Sequence, residues 1–187
     1  GHMKTFLNTL EESGKINSSE VTVKKWGIPI RPLSKTYANR IIVTGDAAGF
    51  TKPTTGGGIY YGIISGEIAA NTIKDAFNSN NFNESSMKNY EIKWKKRLGK
   101  ELKIGYYARS VFEKLSDSQI DKLVNNIATE DNPTNKILLN NFSFDWHSNV
   151  INQAINQFDV LNLFKSFGSN LKPLLTQFQS KEPNHLE

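Results

Sequence analysis

The chain has 187 residues, 37% hydrophobic and 22% charged, with 13 Gly and 6 Pro, which is the composition of an ordered globular protein of one or two compact units. Cys is absent and only His2, His147 and His185 supply imidazoles, so disulfides, thiolate-held iron–sulfur clusters and a Cys nucleophile are excluded, and no His pair has metal-ligand spacing. No run approaches the roughly 20 apolar residues of a membrane-crossing helix, and the lack of Cys fits a reducing, cytoplasmic setting for a chain of net charge +5.

Gly1-His2-Met3 reads as the remnant of a purification tag and is set aside from the fold. Phe6, Leu7 and Leu10 share neighbouring helical positions, and Gly14 stops the short helix they define. From Val21 the apolar residues alternate as Val21 and Val23, then slip phase at Lys24-Lys25 and resume as Trp26, Ile28 and Ile30. That pattern predicts a half-buried, irregular strand over 20–31, with Pro29 and Pro32 placing its end at an edge open to self-association. A turn at Tyr37-Ala38-Asn39-Arg40 precedes Ile41-Ile42-Val43-Thr44, expected as a strand buried on both faces.

A loop runs from Gly45 to Gly58. Ile59, Ile63, Gly66, Ala70, Ile73 and Phe77 then recur at helical spacing. Residues 78–86 are a polar connection, and everything after them reads as helix: a long basic helix over 87–115, one opened by Ser116-Asp117 and running through Ile127, one across Ile137 to Leu139, and a pair over 148–167 and 171–178. Pro133 suits a first helical turn.

Chemistry concentrates in Gly45 to Ile59, where a strand delivers Asp46 to its carboxyl end and Gly56-Gly57-Gly58 open a helix. Ligands of α/β proteins bind outside the carboxyl ends of strands. Glycines let the backbone approach a bound molecule, while the free N–H groups and dipole of the first helical turn attract phosphate or an electron-rich carbonyl. Asp46 either braces the turn or accepts a hydrogen bond from a ligand hydroxyl. The spacing matches neither a phosphate-binding P-loop nor GxGxxG.

The run Gly-Asp-Ala-Ala-Gly-Phe-Thr-Lys-Pro-Thr-Thr-Gly-Gly-Gly-Ile-Tyr-Tyr-Gly-Ile-Ile-Ser-Gly-Glu-Ile-Ala-Ala, residues 45–70, resembles the second FAD-binding motif of the geranylgeranyl reductase family, flavoproteins related in fold to p-hydroxybenzoate hydroxylase and to the electron-transfer-flavoprotein dehydrogenases. Gly49 and the Pro-x-Thr-Gly-Gly-Gly-Ile continuation point to the reductase branch. The resemblance implies that Asp46 bonds the ribityl chain of FAD, that Gly45 and Ala47 form the turn beside the pyrophosphate, that Pro53 lies near the isoalloxazine ring, and that Gly56, Gly57, Gly58 and Ile59 present N–H groups to the flavin. Trp26-Gly27-Ile28-Pro29-Ile30-Arg31-Pro32 is similar to the family's return strand from the substrate domain, and Arg31 either faces the cofactor phosphates or is solvated.

The fold so implied is α/β and mostly helical: the C-terminal part of an FAD-binding p-hydroxybenzoate hydroxylase-like fold, with a few strands, a glycine-rich loop and a helical C-terminal region. Its expected divisions are the tag remnant 1–3, the C-terminal part of the FAD-binding domain over 4–80, and the helical region 81–187. The nucleotide-binding N-terminal half of such proteins is not within this sequence and is an expected partner. The resemblance further implies reduction of C=C bonds in prenyl chains of isoprenoid lipids, with the proton-donating acid and most substrate contacts in the N-terminal sequence so that no catalytic residue is nominated here, and no activity of the stretch alone. Related readings are a flavin monooxygenase, an electron-transfer-flavoprotein-type dehydrogenase, or a non-catalytic helical binding module.

Between Glu84 and Lys114 nine basic residues face four acidic ones. Such a helix is either a solvated face or a contact for anionic membrane on the cytoplasmic side. Nucleic acid is not expected, since no reading motif is present and Tyr90, Trp94, Tyr106 and Tyr107 are spaced for packing. The apolar residues from Val160 to Phe178 read as packed terminal helices, a passage for an isoprenoid chain, or a surface resting on a bilayer. Trp146 and His147 fall in a break between helices and are given no catalytic role.

Overall fold

Two long helices joined by a short connection make the centre of the molecule. In the computed structural model, which describes residues 1–128, 140 and 142–157, the elements in chain order are α1 (His2–Glu12), β1 (Tyr37–Ala38), β2 (Ile41–Ile42), a 3-10 turn (Gly45–Ala48), α2 (Ile59–Asn78), α3 (Glu84–Phe112), α4 (Asp117–Ala128) and α5 (Ser148–Gln157). The described residues are thus mostly helical, with one two-stranded antiparallel sheet. The regions expected as helices across 137–139 and 171–178, the end of the helix expected over 148–167, Pro133 and the apolar run Val160 to Phe178 lie outside the described residues.

Helix ends follow local chemistry. α1 includes His2 and Met3, the residues read as a tag remnant, and closes at Gly14 with φ +68°, where Lys15 N–H donates to Leu10 O (2.9 Å) and Gly14 N–H to Glu11 O (2.9 Å), the paired bonds of a left-handed C-terminal cap. No residue of α1 is buried. α3 starts at Glu84, three residues before the expected Met87, because the Asn83 side chain accepts from Ser86 N–H at 2.9 Å and satisfies a donor of the first turn. At α4 the Gln119 side chain accepts from Ser116 N–H (2.8 Å), half of a capping box.

The expected strand over 20–31 is not formed. Residues 20–30 hold no ladder hydrogen bonds and are almost all exposed, Trp26 at 95%. Alternation marks side chains suited to a pleat, but a strand also needs a neighbour for its N–H and C=O groups, and none of the described residues supplies one. The second strand is likewise not buried on both faces. Among the described residues β2 pairs only with β1, in the register Tyr37 with Ile42 and Ala38 with Ile41, and Ile41 is half-exposed to solvent.

What holds this hairpin is α3. Trp94 Nε1–H donates to Thr36 Oγ1 (2.8 Å), Thr36 N–H donates to the Glu91 carboxylate (3.1 Å), and Tyr90 OH donates to Val43 O (3.0 Å). Phe50 packs its ring 4.7 Å from that of Trp94. Together with Ala48, Tyr61, Ala69, Leu98 and Leu102 these residues form one core, which draws on both sides of residue 80.

α2 meets α3 through Tyr61, Ser65, Ala69, Thr72 and Ala76, a stripe of mostly small residues that permits close approach. The more apolar stripe singled out by the sequence pattern faces the other way: Ile59 is 84% exposed and Ile63 64%, and Ile73 and Phe77 are also exposed.

Candidate functional site

The end of β2 is fastened to α2 by a serine. Ser65 Oγ lies 2.7 Å from Thr44 Oγ1, accepts from Gly45 N–H at 3.2 Å and donates to Gly62 O at 3.1 Å. The 3-10 turn is thereby set on the first turn of α2, with a Cβ built on Gly45 reaching only 3.9 Å from Gly62 Cα.

The consequence is a meeting of Asp46 with the start of α2. A Cβ at Gly58 would stand 3.0 Å from Asp46 Cγ and overlap Oδ1, so only glycine lets the carboxylate occupy this place. The carboxylate nevertheless does not cap the helix: Gly58 is its N-cap with no side-chain bond, and although Gly49 N–H donates to Asp46 O (2.9 Å), no hydrogen bond to the Asp46 carboxylate is formed among the described residues. The N–H groups of Gly57, Gly58 and Ile59 likewise donate to no acceptor among the described residues. Asp46, Ala47 and Ile59 are exposed and Gly45, Gly56, Gly57 and Gly58 half-buried. An exposed acceptor thus stands beside a row of unspent donors at the positive end of a 20-residue helix, an arrangement able to hold a ligand that carries both a hydroxyl and an electron-rich carbonyl.

Of the eight residues singled out by the sequence, Asp46 and Gly58 meet here and Gly57 and Ile59 flank Gly58 along the chain, whereas Pro53 is turned toward α3. Pro53 is buried, its ring carbons meeting α3 where a Cβ on Gly105 would lie 3.1 Å from Pro53 Cδ. It anchors the loop to that helix. Gly49 (φ +78°) presses on the chain arriving from Arg31, since a Cβ there would come within 2.9 Å of Pro32 Cα, and Thr51 Oγ1 donates to Pro29 O. Arg31 itself is exposed, and its guanidinium lies 5.6 Å over the Tyr106 ring of α3.

Sequence reasoning missed the support beneath the loop. Lys52 is only 5% exposed; its ammonium reaches Asp145 Oδ1 (2.6 Å) and Phe144 O (2.9 Å), and its stem lies under Gly57, where a Cβ would meet Lys52 Cε at 3.2 Å. Lys52 N–H donates to Gly57 O (2.9 Å) and Gly56 N–H to Lys52 O (2.7 Å), closing the loop on itself. Thr54 Oγ1 pairs with His147 Nδ1 at 2.6 Å. Tyr61 OH donates to Asp145 O (2.8 Å), and burial, with the Glu101 and Asp145 carboxylates nearby, pushes its phenol above the usual range.

Glu101, buried on α3, holds the far side: its carboxylate accepts from His147 N–H (2.6 Å) and Ser148 N–H (3.0 Å), which caps α5. Trp146 and His147 are therefore packing and anchoring residues, Trp146 with its ring edge-on to Tyr60 at 5.9 Å. A Lys inside a glycine-rich loop was the available signal; its partner 93 positions later carried none. Among the described residues no cluster of acidic and His side chains could hold a metal, and no helix is long and apolar enough to cross a membrane.

No protein-family model matches the chain. Individual relatives do. A digeranylgeranylglycerophospholipid reductase of Methanocaldococcus jannaschii is 36% identical over 128 residues, covering 65% of this chain and 32% of the relative. One of Methanococcus vannielii is 34% identical over 132 residues, covering 67% and 33%. The crystal structure of a geranylgeranyl bacteriochlorophyll reductase-like protein of Thermoplasma acidophilum superposes with a TM-score of 0.58 at 26% identity, covering 78% of this chain and 33% of that one. The chain spans about a third of the length of the curated relatives it matches.

Proposed function

Because the chain belongs to the geranylgeranyl reductase family, we propose that it is the C-terminal portion of an FAD-dependent oxidoreductase that reduces C=C bonds in the prenyl chains of isoprenoid lipids. The observation that carries this reading is the uncapped start of α2 with the Asp46 carboxylate set against Gly58.

These residues fit the cofactor. Asp46 would accept from a ribityl hydroxyl, while the N–H groups of Gly57, Gly58 and Ile59 would meet the flavin carbonyl edge and Gly45 and Ala47 would flank the phosphates. Pro53, seated on Gly105, would fix how closely the loop approaches the ring. Bound FAD supplies the hydride chemistry. The chain's contribution is to orient it and, through the α2 dipole, to favour negative charge at the ring edge nearest the helix. No described residue is assigned as proton donor, and the chain alone is proposed to bind without turnover. The remaining two thirds of a family-length protein would cover the apolar outer stripe of α2.

The test is the visible spectrum of the protein purified without added cofactor, followed by titration with FAD, alone and beside the amino-terminal two thirds of the Methanocaldococcus jannaschii relative. Flavin bands or saturable binding are expected, lost in Asp46→Ala and Gly58→Val at unchanged far-UV circular dichroism. A folded protein that ignores FAD in both settings would overturn the reading.

A further inference from the structure

Three exposed basic residues on α3 and just beyond it share one depression. Lys95, Lys103 and Lys114 line a groove of about 800 Å³ together with Arg31, which arrives from the segment before β1. None of the residues from Gly45 to Ile59 lines it, so it stands apart from the candidate cofactor site.

Its charge is poorly compensated. Among the described residues Glu113 is the sole carboxylate on the groove wall, and Arg109 holds it at 2.5 Å. Lys95 pairs with Glu91 at 2.7 Å, but among the described residues no carboxylate lies within ion-pairing distance of Lys103 or Lys114. Cations gathered along a low-dielectric wall focus their field into the groove and attract an anion.

The groove is also apolar beneath its charges. Trp94 and Leu102 reach it from the core and Pro32 closes one side, while Tyr106 offers its ring under Arg31. A bare inorganic anion has no use for such a lining, and a nucleic-acid backbone needs a long track of phosphate contacts rather than one bounded depression. The matching ligand bears phosphate and an apolar body on the same molecule.

We infer that the α3 groove binds the phosphate-bearing head of an anionic lipid at a membrane surface. Its cationic rim takes the phosphate, and its apolar lining takes the first carbons behind it. Six other basic residues of the same region lie outside the groove, which provides an internal control for mere positive charge.

The test is flotation of the full chain with vesicles of phosphatidylcholine alone or mixed with an equal part of phosphatidylglycerol. The parent protein is expected to float only with the mixed vesicles. Lys103→Glu with Lys114→Glu should lower the bound fraction about tenfold, whereas Lys88→Glu with Lys96→Glu, an equal charge change on α3 outside the groove, should lower it less than about twofold. Lys103→Gln with Lys114→Gln serves if charge reversal disturbs folding, and is expected to lower binding as well. Equal losses from both pairs would reduce the site to a diffuse basic face. Displacement by millimolar inorganic phosphate would make it a simple anion site, and failure to bind the mixed vesicles would remove it altogether; each overturns the inference. None of these outcomes depends on whether FAD binds.

Discussion

The two faces of α2 differ in a direction opposite to their hydrophobicity. Toward α3 the helix buries Tyr61, Ser65, Ala69, Thr72 and Ala76; away from it, Ile59, Ile63, Ile73 and Phe77 stand exposed. Full exposure of a side chain of this size forgoes roughly 1.5–3 kcal/mol of burial, and these four forgo part of it. The buried face gains instead from closeness, since small residues bring the α2 and α3 backbones together and Ser65 gathers Thr44 and Gly45 onto the helix. Closeness organises the site. On the proposed reading, the rest of a family-length protein would cover the apolar stripe.

The strongest test of the comparison is on the inner face. Tyr61→Ala removes a fully buried ring and the bond to Asp145 O, and is expected to cost about 3–5 kcal/mol in urea unfolding. A loss below about 1 kcal/mol would mean that the α2–α3 seam is not the core.

A smaller effect, with a pH signature, is expected where α3 meets the hairpin. Burial pushes the Glu91 carboxyl up, but hydrogen bonds from the Lys95 ammonium and Thr36 N–H outweigh it and hold the group below its ordinary 4.5. A depressed folded value stabilises the protein above the unfolded value, and that contribution fades as pH falls through the folded one. Glu91→Gln should therefore cost about 1–2 kcal/mol near pH 7 and progressively less in acid; a cost independent of pH would refute the assignment.

The smallest effect belongs to the outer face. Ile63→Lys is expected to change the unfolding free energy of the chain by no more than about 0.5 kcal/mol, because most of the side chain stands in solvent. Destabilisation equal to that of an inner-face variant would show that the stripe is already covered.

Much of the site was legible in the sequence. The glycines, Asp46 and the onset of α2 are encoded within fifteen residues, where backbone requirements translate directly into residue types. Less legible was anything that needs a partner distant along the chain. The alternation from Val21 to Ile30 identifies pleat-ready side chains but not a neighbour to pair with. The spacing from Ile59 to Phe77 identifies a helix, yet a helix with two usable stripes does not declare which one is inward. Glu101 reads as one more charge on a solvated helix until the N–H groups of His147 and Ser148 arrive above it.

Lys52 gives the loop a place in time as well as in space. Its counter-ion follows it by 93 positions, an interval on the order of ten seconds at ribosomal speed. While the nascent chain is still delivering α3, the ammonium stays hydrated and the glycines above it lack their floor. The glycine loop thus waits for its floor until Asp145 has been made, and a chain ending between Gly58 and Asp145 would carry the full glycine motif without the counter-ion of its buried lysine.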